Sequence, residues 1–186
     1  MRIISGIFKG KKISLPNDKK TRPLRDLVKE SIFNLIEHSN KFNCTVNNSK
    51  ILDLFSGTGS FGIECISRKA NKVTFIENYE EALHILKKNI NDLGVENKSK
   101  IIEQNCFDFF NLNKNFEEKF DIIFIDPPYK EEKINFIIES IKNKKILENN
   151  GIIIVHRHKK DNIEIAKKIK IIDEKNYGIS KIIICN

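Results

Sequence analysis

Leu24, Leu27, Val28, Ile32, Leu35 and Ile36 recur at three- and four-residue steps through TRPLRDLVKESIFNLIEH. That spacing puts apolar side chains on one face of a helix. Thr21 or a neighbour is placed to cap its start, and Pro23 suits a first turn, where the missing N–H would have no partner anyway. Before it, residues 2–15, RIISGIFKGKKISL, alternate apolar and polar positions on both sides of Gly10, which predicts a small hairpin. Residues 40–49, NKFNCTVNNS, are polar and read as a connecting loop. From residue 50 the rhythm changes. Short apolar runs, KILDLF, KVTFIE, KIIEQ, FDIIFID and GIIIVH, alternate with stretches able to be helical. The clearest of these, YEEALHILKKNINDLG at 79–94, closes on Gly94 as a glycine-ended helix does. Alternation at this spacing predicts an α/β fold, a parallel sheet with helices on both faces. The last part departs from it: KIIDEKNYGISKIIIC sets two β-rich runs around Asn176-Tyr177-Gly178, predicting an antiparallel final pair.

Length and composition narrow this picture. A chain of 186 residues suffices for one domain with a sizeable core and a small appendage. No apolar run approaches the ~18 residues needed to span a bilayer. MRIISGIFKGKK lacks the long apolar stretch and cleavage site of a secretion signal, so a soluble, cytoplasmic protein without membrane contact is expected. Cys44, Cys65, Cys106 and Cys185 are scattered with no C-x-x-C pair, which fits a reducing compartment better than a disulfide framework or a zinc site. The formal net charge of +8 invites a polyanion, although an abundance of Lys, Ile and Asn throughout could equally reflect genome composition.

Chemistry enters with LDLFSGTGSFG, residues 52–62. Gly57, Gly59 and Gly62 have the G-x-G-x-x-G spacing of a dinucleotide-binding turn, and Glu77, twenty positions after Gly57, could take ribose hydroxyls. A tight strand-to-helix turn holding no ligand would use the same glycines. Asp53 argues against a pyrophosphate, which it would repel by several kcal/mol unless well screened. S-Adenosylmethionine (AdoMet) has no phosphate and carries a sulfonium and an ammonium, so a carboxylate at that strand end attracts it. The series Asp53 to Gly59, D-x-F-x-G-x-G, resembles the first motif of AdoMet-dependent methyltransferases. The resemblance implies cofactor contacts at Asp53, Ser56, Gly57, Gly59 and Glu77. Asn105 and Cys106, after the third strand, stand where such enzymes often carry an acidic residue near the adenine; Asn still offers an acceptor and a donor.

FDIIFIDPPYK, residues 120–130, is a buried-strand pattern ending in Asp126-Pro127-Pro128-Tyr129. Two prolines fix the backbone and remove its donors, leaving carbonyls to accept. Asp126 adds a carboxylate, and Tyr129 a face for a planar group. Two acceptors and an aromatic plate suit an exocyclic amine, and the constellation resembles the amino-methyltransferases of adenine N6, cytosine N4 or guanine N2. Asp126 and the Pro127 carbonyl would hold the amine toward the sulfonium methyl, placement of a kind that can contribute ~7–11 kcal/mol.

Taken as a series, RIISGIFKGKKISLP, TRPLRDLVKESIFNLI, LDLFSGTGSFGIE, DPPY and the late NYG resemble the bacterial small-subunit ribosomal RNA guanine-N2 methyltransferase family along nearly the whole chain. Thr21-Arg22-Pro23 with Asp26, Glu30, Phe33 and Asn34 is the most family-specific part. The resemblance implies a Rossmann-like, seven-stranded class I AdoMet-dependent methyltransferase fold at residues 21–186, preceded by a basic β-hairpin extension at 1–20. It also implies a guanine of 16S rRNA as substrate, within an assembling small subunit, and a protein acting as a monomer. The chain departs from the family pattern at Leu24, Arg25, Lys29, Asn105 and His156. Lys9, Lys11, Lys12, Arg22 and Arg25, with Lys19 and Lys20, cluster before the catalytic domain and are expected to grip RNA phosphate. His156, Arg157, His158, Lys159 and Lys160 are expected to follow the fifth strand as a second basic group. No metal site is expected, because His156 and His158 lack cysteine or carboxylate partners at fitting spacing. A guanine flipped from its stack is expected at Tyr129.

Four other readings remain at this point. A DNA adenine methyltransferase would need a recognition segment, for which residues 130–186 leave little chain. A protein-glutamine methyltransferase would favour Asn at position 126. An NAD-dependent oxidoreductase would use the glycines and Glu77 but leave Asp53 and DPPY unexplained. A silent RNA-binding module would not need an intact DPPY.

Overall fold

The structure, a computed structural model, describes residues 1–18, 21, 24–113, 116–128, 130–161 and 169–186. Five α-helices and seven strands are formed among them, in the order α1 (Asp26–His38), β1 (Lys50–Leu54), α2 (Ser60–Ser67), β2 (Lys72–Glu77), α3 (Glu80–Leu93), β3 (Ser99–Glu103), α4 (Cys106–Leu112), β4 (Phe120–Ile125), α5 (Ile134–Asn143), β5 (Leu147–His158), β6 (Ile171–Tyr177) and β7 (Ser180–Cys185). The strands make one sheet ordered β3-β2-β1-β4-β5-β7-β6. The first five pair in parallel, and β7 is antiparallel to both β5 and β6. Strand order reverses at β1, whose neighbours are β2 and β4, so the crevice at its carboxyl end is where a ligand is expected in such a sheet.

Strands β1, β4, β5 and β7 divide their side chains between two cores. Ile51, Ile122, Phe124, Ile152, Ile154, Ile182 and Ile184 meet α1, α2 and α3. Their neighbours Leu52, Leu54, Ile123, Ile125, Ile153, Val155, Ile183 and Cys185 meet α4 and α5. The runs read as continuously apolar because both faces of the sheet are covered. On α5, Ile134, Ile137, Ile138 and Ile141 are all buried at helical spacing, each stabilising the fold by roughly 1.5–3 kcal/mol. α3 ends as the sequence predicts, with Gly94 at φ 65° donating back to Asn91 and Ile90 carbonyls. No helix among the described residues is long and apolar enough to cross a membrane, and all four cysteines are buried free thiols.

The first helix differs from expectation. It begins at Asp26, not near Thr21, and no side chain caps it. Thr21 instead donates its backbone N–H to Asp18 at 3.0 Å, and Pro23 lies outside the described residues. Leu27, assigned to the apolar stripe, is 67% exposed, whereas Leu24, Val28, Ile32 and Ile36 are buried.

The predicted N-terminal hairpin closes through a single antiparallel bridge, Arg2 to Lys12, and not through a pair of strands. Ile3 and Ile13 sit in the α1–α3 core. A Cβ at Gly6 would lie 2.0 Å from the Ser67 carbonyl oxygen, so only glycine lets this turn rest on the end of α2. Under the turn, Glu64 of α2 accepts N–H bonds from Ile4 (2.8 Å) and Ser5 (2.9 Å). It also faces Lys29 Nζ at 3.5 Å and Arg68 Nε at 3.0 Å. Lys29 and Glu64 are both fully buried. Burial pushes the Lys29 amine below its ordinary range, with Glu64 opposing that shift. Lys29 Nζ also donates to the Arg2 carbonyl (2.9 Å) and to Ser60 Oγ (3.3 Å), tying the hairpin to the first residue of α2. α1 reads as amphipathic, yet its lysine points inward, because the hairpin roofs that face.

Candidate active site

A cavity of about 620 Å³ opens at the carboxyl ends of β1, β2 and β4, within the size range of small-molecule sites. Its wall includes Asp53, Ser56, Gly57, Glu77, Asn105, Asp126 and Pro127, bringing together seven of the residues expected from the sequence. Gly59 and Cys106 are not on that wall. Tyr129 lies outside the described residues, as does Arg22.

The loop after β1 owes its shape to three left-handed residues in five, Phe55 (φ 56°), Gly57 (φ 54°) and Gly59 (φ 82°). Glycine adopts that region freely. Phe55 does not, and strain of this kind typically costs of order 1–3 kcal/mol and gathers at functional sites. Backbone contacts fix the loop: Ser56 donates its N–H (3.1 Å) and its hydroxyl (3.2 Å) to the Ile76 carbonyl, and Gly57 N–H donates to Glu77 at 2.7 Å. The other two glycines of the motif serve packing. A Cβ on Gly59 would come within 2.5 Å of Leu86, and one on Gly62 within 2.3 Å of Phe75. Cys106 plays a supporting part as well. Its sulfur accepts the Phe55 N–H at 3.3 Å, and burial pushes its thiol well above the ordinary range. It braces the strained residue from behind and does not reach the cavity.

Four carboxylates line the space: Asp53, Glu77, Asp126 and Glu131. Asp53 is 1% exposed and accepts the Gly62 N–H at 3.0 Å. Burial pushes its carboxyl well above the ordinary range; the Gly62 bond opposes this, and the charges of Asp126 and Glu77 add to it. Glu77 accepts from Gly57, and also from Asn78 and Tyr79, both at 2.8 Å. A carboxylate has about four lone-pair positions, so these bonds aim Glu77 without exhausting it. A site with this much negative charge and no basic side chain on its described wall repels phosphate and favours a cation. Asn105 caps α4, accepting the Phe107 N–H at 2.8 Å through its side-chain oxygen, and lines the cavity beside Phe55 and Phe107.

Sequence reasoning missed several wall residues: Thr21, Leu24, Phe55, Asn78, Tyr79, Phe107 and Glu131. Thr21 and Leu24, both before α1 in the chain, stand on the wall, and Tyr79 donates its hydroxyl to Asp18 at 3.0 Å. It also misassigned the second basic group. His156, Arg157 and His158 do not follow the fifth strand; they belong to β5. His156 and Arg157 are each only 4% exposed. Arg157 donates to the carbonyls of Pro128 (3.1 Å) and Glu131 (3.0 Å) and pairs with Asp161 at 3.0 Å. It holds the DPPY loop in place and does not face a polyanion. The lysines of the first basic group, Lys9, Lys11 and Lys12, are exposed, as is Arg25, and Lys11 Nζ rests 4.9 Å from the centre of the Phe8 ring.

Known proteins resemble this chain in sequence and in fold. The chain is 38% identical over 165 residues to the ribosomal RNA small subunit methyltransferase D of Buchnera aphidicola subsp. Acyrthosiphon pisum, spanning 89% of this chain and 82% of that one. It is 32% identical over 180 residues to the protein of the same name from Haemophilus influenzae, spanning 96% and 90%. The solved structure of Escherichia coli yhhF superposes with a TM-score of 0.84 over 100% of this chain and 96% of that one, at 23% identity. This likeness of fold is to the Rossmann-like class I methyltransferases, as the sequence predicts. A family model described as Conserved hypothetical protein 95 matches residues 1–186. The chain therefore belongs to the Conserved hypothetical protein 95 family and is kin to the ribosomal RNA small subunit methyltransferases D.

Proposed function

We propose that this protein transfers a methyl group from S-adenosylmethionine to the exocyclic N2 amine of a guanine in 16S ribosomal RNA. The observation that carries this reading is the meeting of Asp53, Glu77 and Asp126 on one cavity at the strand-order reversal. Names of the relatives support ribosomal RNA of the small subunit as the substrate class. Bound there, the cofactor would supply an electrophilic methyl on a sulfonium. Asp53 would face its cationic end, Glu77 its ribose, and Ser56, Gly57 and Asn105 the rest of its outline. Gly59 and Cys106 then act from behind, by shaping and bracing the loop. A cation beside Asp53 offsets the burial that disfavours its ionised form.

Asp126 and the Pro127 carbonyl accept from the amine and hold its lone pair toward the methyl. As the new N–C bond formed and the methyl–sulfur bond broke, its electron pair staying on sulfur as a neutral thioether, the nitrogen would become cationic and the Asp126 charge would stabilise it; the proton would leave afterwards to solvent. Pro128 is a poorer acceptor for this purpose, since Arg157 already occupies its carbonyl. Tyr129 supplies the stacking face for a flipped guanine. In this reading residues 1–20 are an extension of a methyltransferase domain at 21–186, and the protein works as a monomer on an assembling subunit.

Labelled AdoMet added to naked 16S rRNA and to immature small subunits should place its methyl on guanine N2. Label at adenine N6, or binding of NADH with none of AdoMet, defeats the reading. The exposed lysines give a second expected result. Neutralising Lys9, Lys11 and Lys12 together should weaken RNA binding at low salt and flatten the plot of log affinity against log salt by ~0.7–0.9 for every phosphate no longer neutralised. An unaltered slope would remove these three lysines from the RNA contact.

A further inference from the structure

In the parallel pairing of β4 with β5, Ile125 stands beside Val155. The next residues along, Asp126 and His156, are therefore neighbours on the face that also carries Asp53. Their side chains meet, with His156 Nδ1 2.8 Å from Asp126 Oδ1. On its far side, His156 Nε2 lies 2.9 Å from Ser180 Oγ on β7. His156 and Ser180 are buried, and only Asp126 of the three lines the cavity.

We propose that His156 is a positioning residue for methyl transfer: its Nδ1–H fixes the plane of the Asp126 carboxylate, and Ser180, bonded to Nε2, holds the ring in place. The inference rests on the reading of Asp126 as the acceptor of the amine. An ionised carboxylate can only accept, so the hydrogen between the two groups sits on Nδ1. Where the ring carries that hydrogen alone, Nε2 is an acceptor and the Ser180 hydroxyl donates to it. A carboxylate free to rotate about its Cβ–Cγ bond would meet the amine in many orientations. One whose Oδ1 is held from behind meets it in few, which is the advantage that fixed geometry gives to a reaction between two bound groups.

A ring that merely fills the core needs its volume at position 156, whereas a positioning role needs a donor where Nδ1 stands. Asparagine places its amide nitrogen near that point; glutamine carries it further out, toward Ser180. His156→Ala and His156→Gln should lower kcat on the order of 10²-fold, the scale of small misplacements at a reacting centre, with KM for AdoMet unchanged. His156→Asn should recover most of that loss. Nitrogen-resolved NMR of the wild-type ring should show a hydrogen on Nδ1, and Ser180→Ala should leave it there, since Asp126 can still only accept. Equal losses in the Asn and Gln variants, no loss in any, a loss carried by KM for AdoMet, or a wild-type ring protonated on Nε2 alone would each overturn the proposal. Wild-type protein that methylates no guanine would sink the activity reading instead, and the tautomer would still decide this one.

Discussion

Asp126→Asn is expected to lower kcat by about 10²–10³-fold, the loss seen when one preorganised group aimed at developing charge is removed. The substitution keeps the shape of the side chain and an oxygen able to accept from His156. What disappears is the negative charge beside a nitrogen that, in the proposed reaction, would turn cationic as it takes the methyl. AdoMet affinity should not fall with it. Among the influences that raise the Asp53 carboxyl, the charge of Asp126 is a contributor after burial, so its removal eases the ionised form of Asp53 that favours a cationic cofactor. Single-turnover rates with calorimetric AdoMet binding separate the two quantities. A variant that binds AdoMet weakly but turns over normally once saturated would assign Asp126 to the cofactor and leave the amine without its partner.

The second large effect concerns stability. Glu64→Ala should destabilise the protein by about 3–5 kcal/mol, because it strands a buried lysine. That corresponds to a fall in unfolding midpoint on the order of 10 °C for a chain of this size. The loss is compound. Lys29 is fully buried opposite Glu64, Arg68 Nε loses a partner at 3.0 Å, and the Ile4 and Ser5 N–H groups lose theirs. Lys29→Met should cost less. It removes a buried charge whose amine burial already disfavours, while Glu64 keeps Arg68 and both backbone donors. Thermal or urea unfolding of the two variants checks the order; the reverse order would mean that the lysine, not the carboxylate, anchors the hairpin.

Much of this architecture is legible in the sequence because it is local or repetitive. The unbroken apolar runs of β4 and β5 announce a sheet covered on both faces, and Gly94 marks the end of α3 one residue past its last turn. Asp53 and Asp126 could be assigned to one site because two short motifs each end a strand, and parallel strands bring such ends together. What could not be read depends on contacts between distant segments. His156 looked like part of a basic run, since nothing along the chain shows that register sets it beside Asp126 or that Ser180 arrives from β7. Lys29 sits among polar positions of an amphipathic helix, and only the hairpin lying over α2 makes that position interior. Gly59 and Gly62 matched a ligand-binding spacing for a different reason: the spacing that lets a backbone approach a ligand also lets a helix approach a strand. Cys106 was adjacent to the right residue, but as the first residue of α4 it turns inward while Asn105 turns toward the cavity.

β7 is made after β6 and yet lies inside it, between β6 and β5. The sheet therefore cannot be laid down in the order in which a ribosome delivers it. When β6 emerges it has no neighbour to join, and the flank of β5 stays bare until the following turn folds back, leaving an unpaired edge of the sort that recruits foreign strands. The hydroxyl of Ser180 comes with that same late piece. In the proposed reading, a chain delivered only as far as β6 could already set His156 behind Asp126, but the ring would still lack Ser180, so full competence for transfer would wait for the β6–β7 pair.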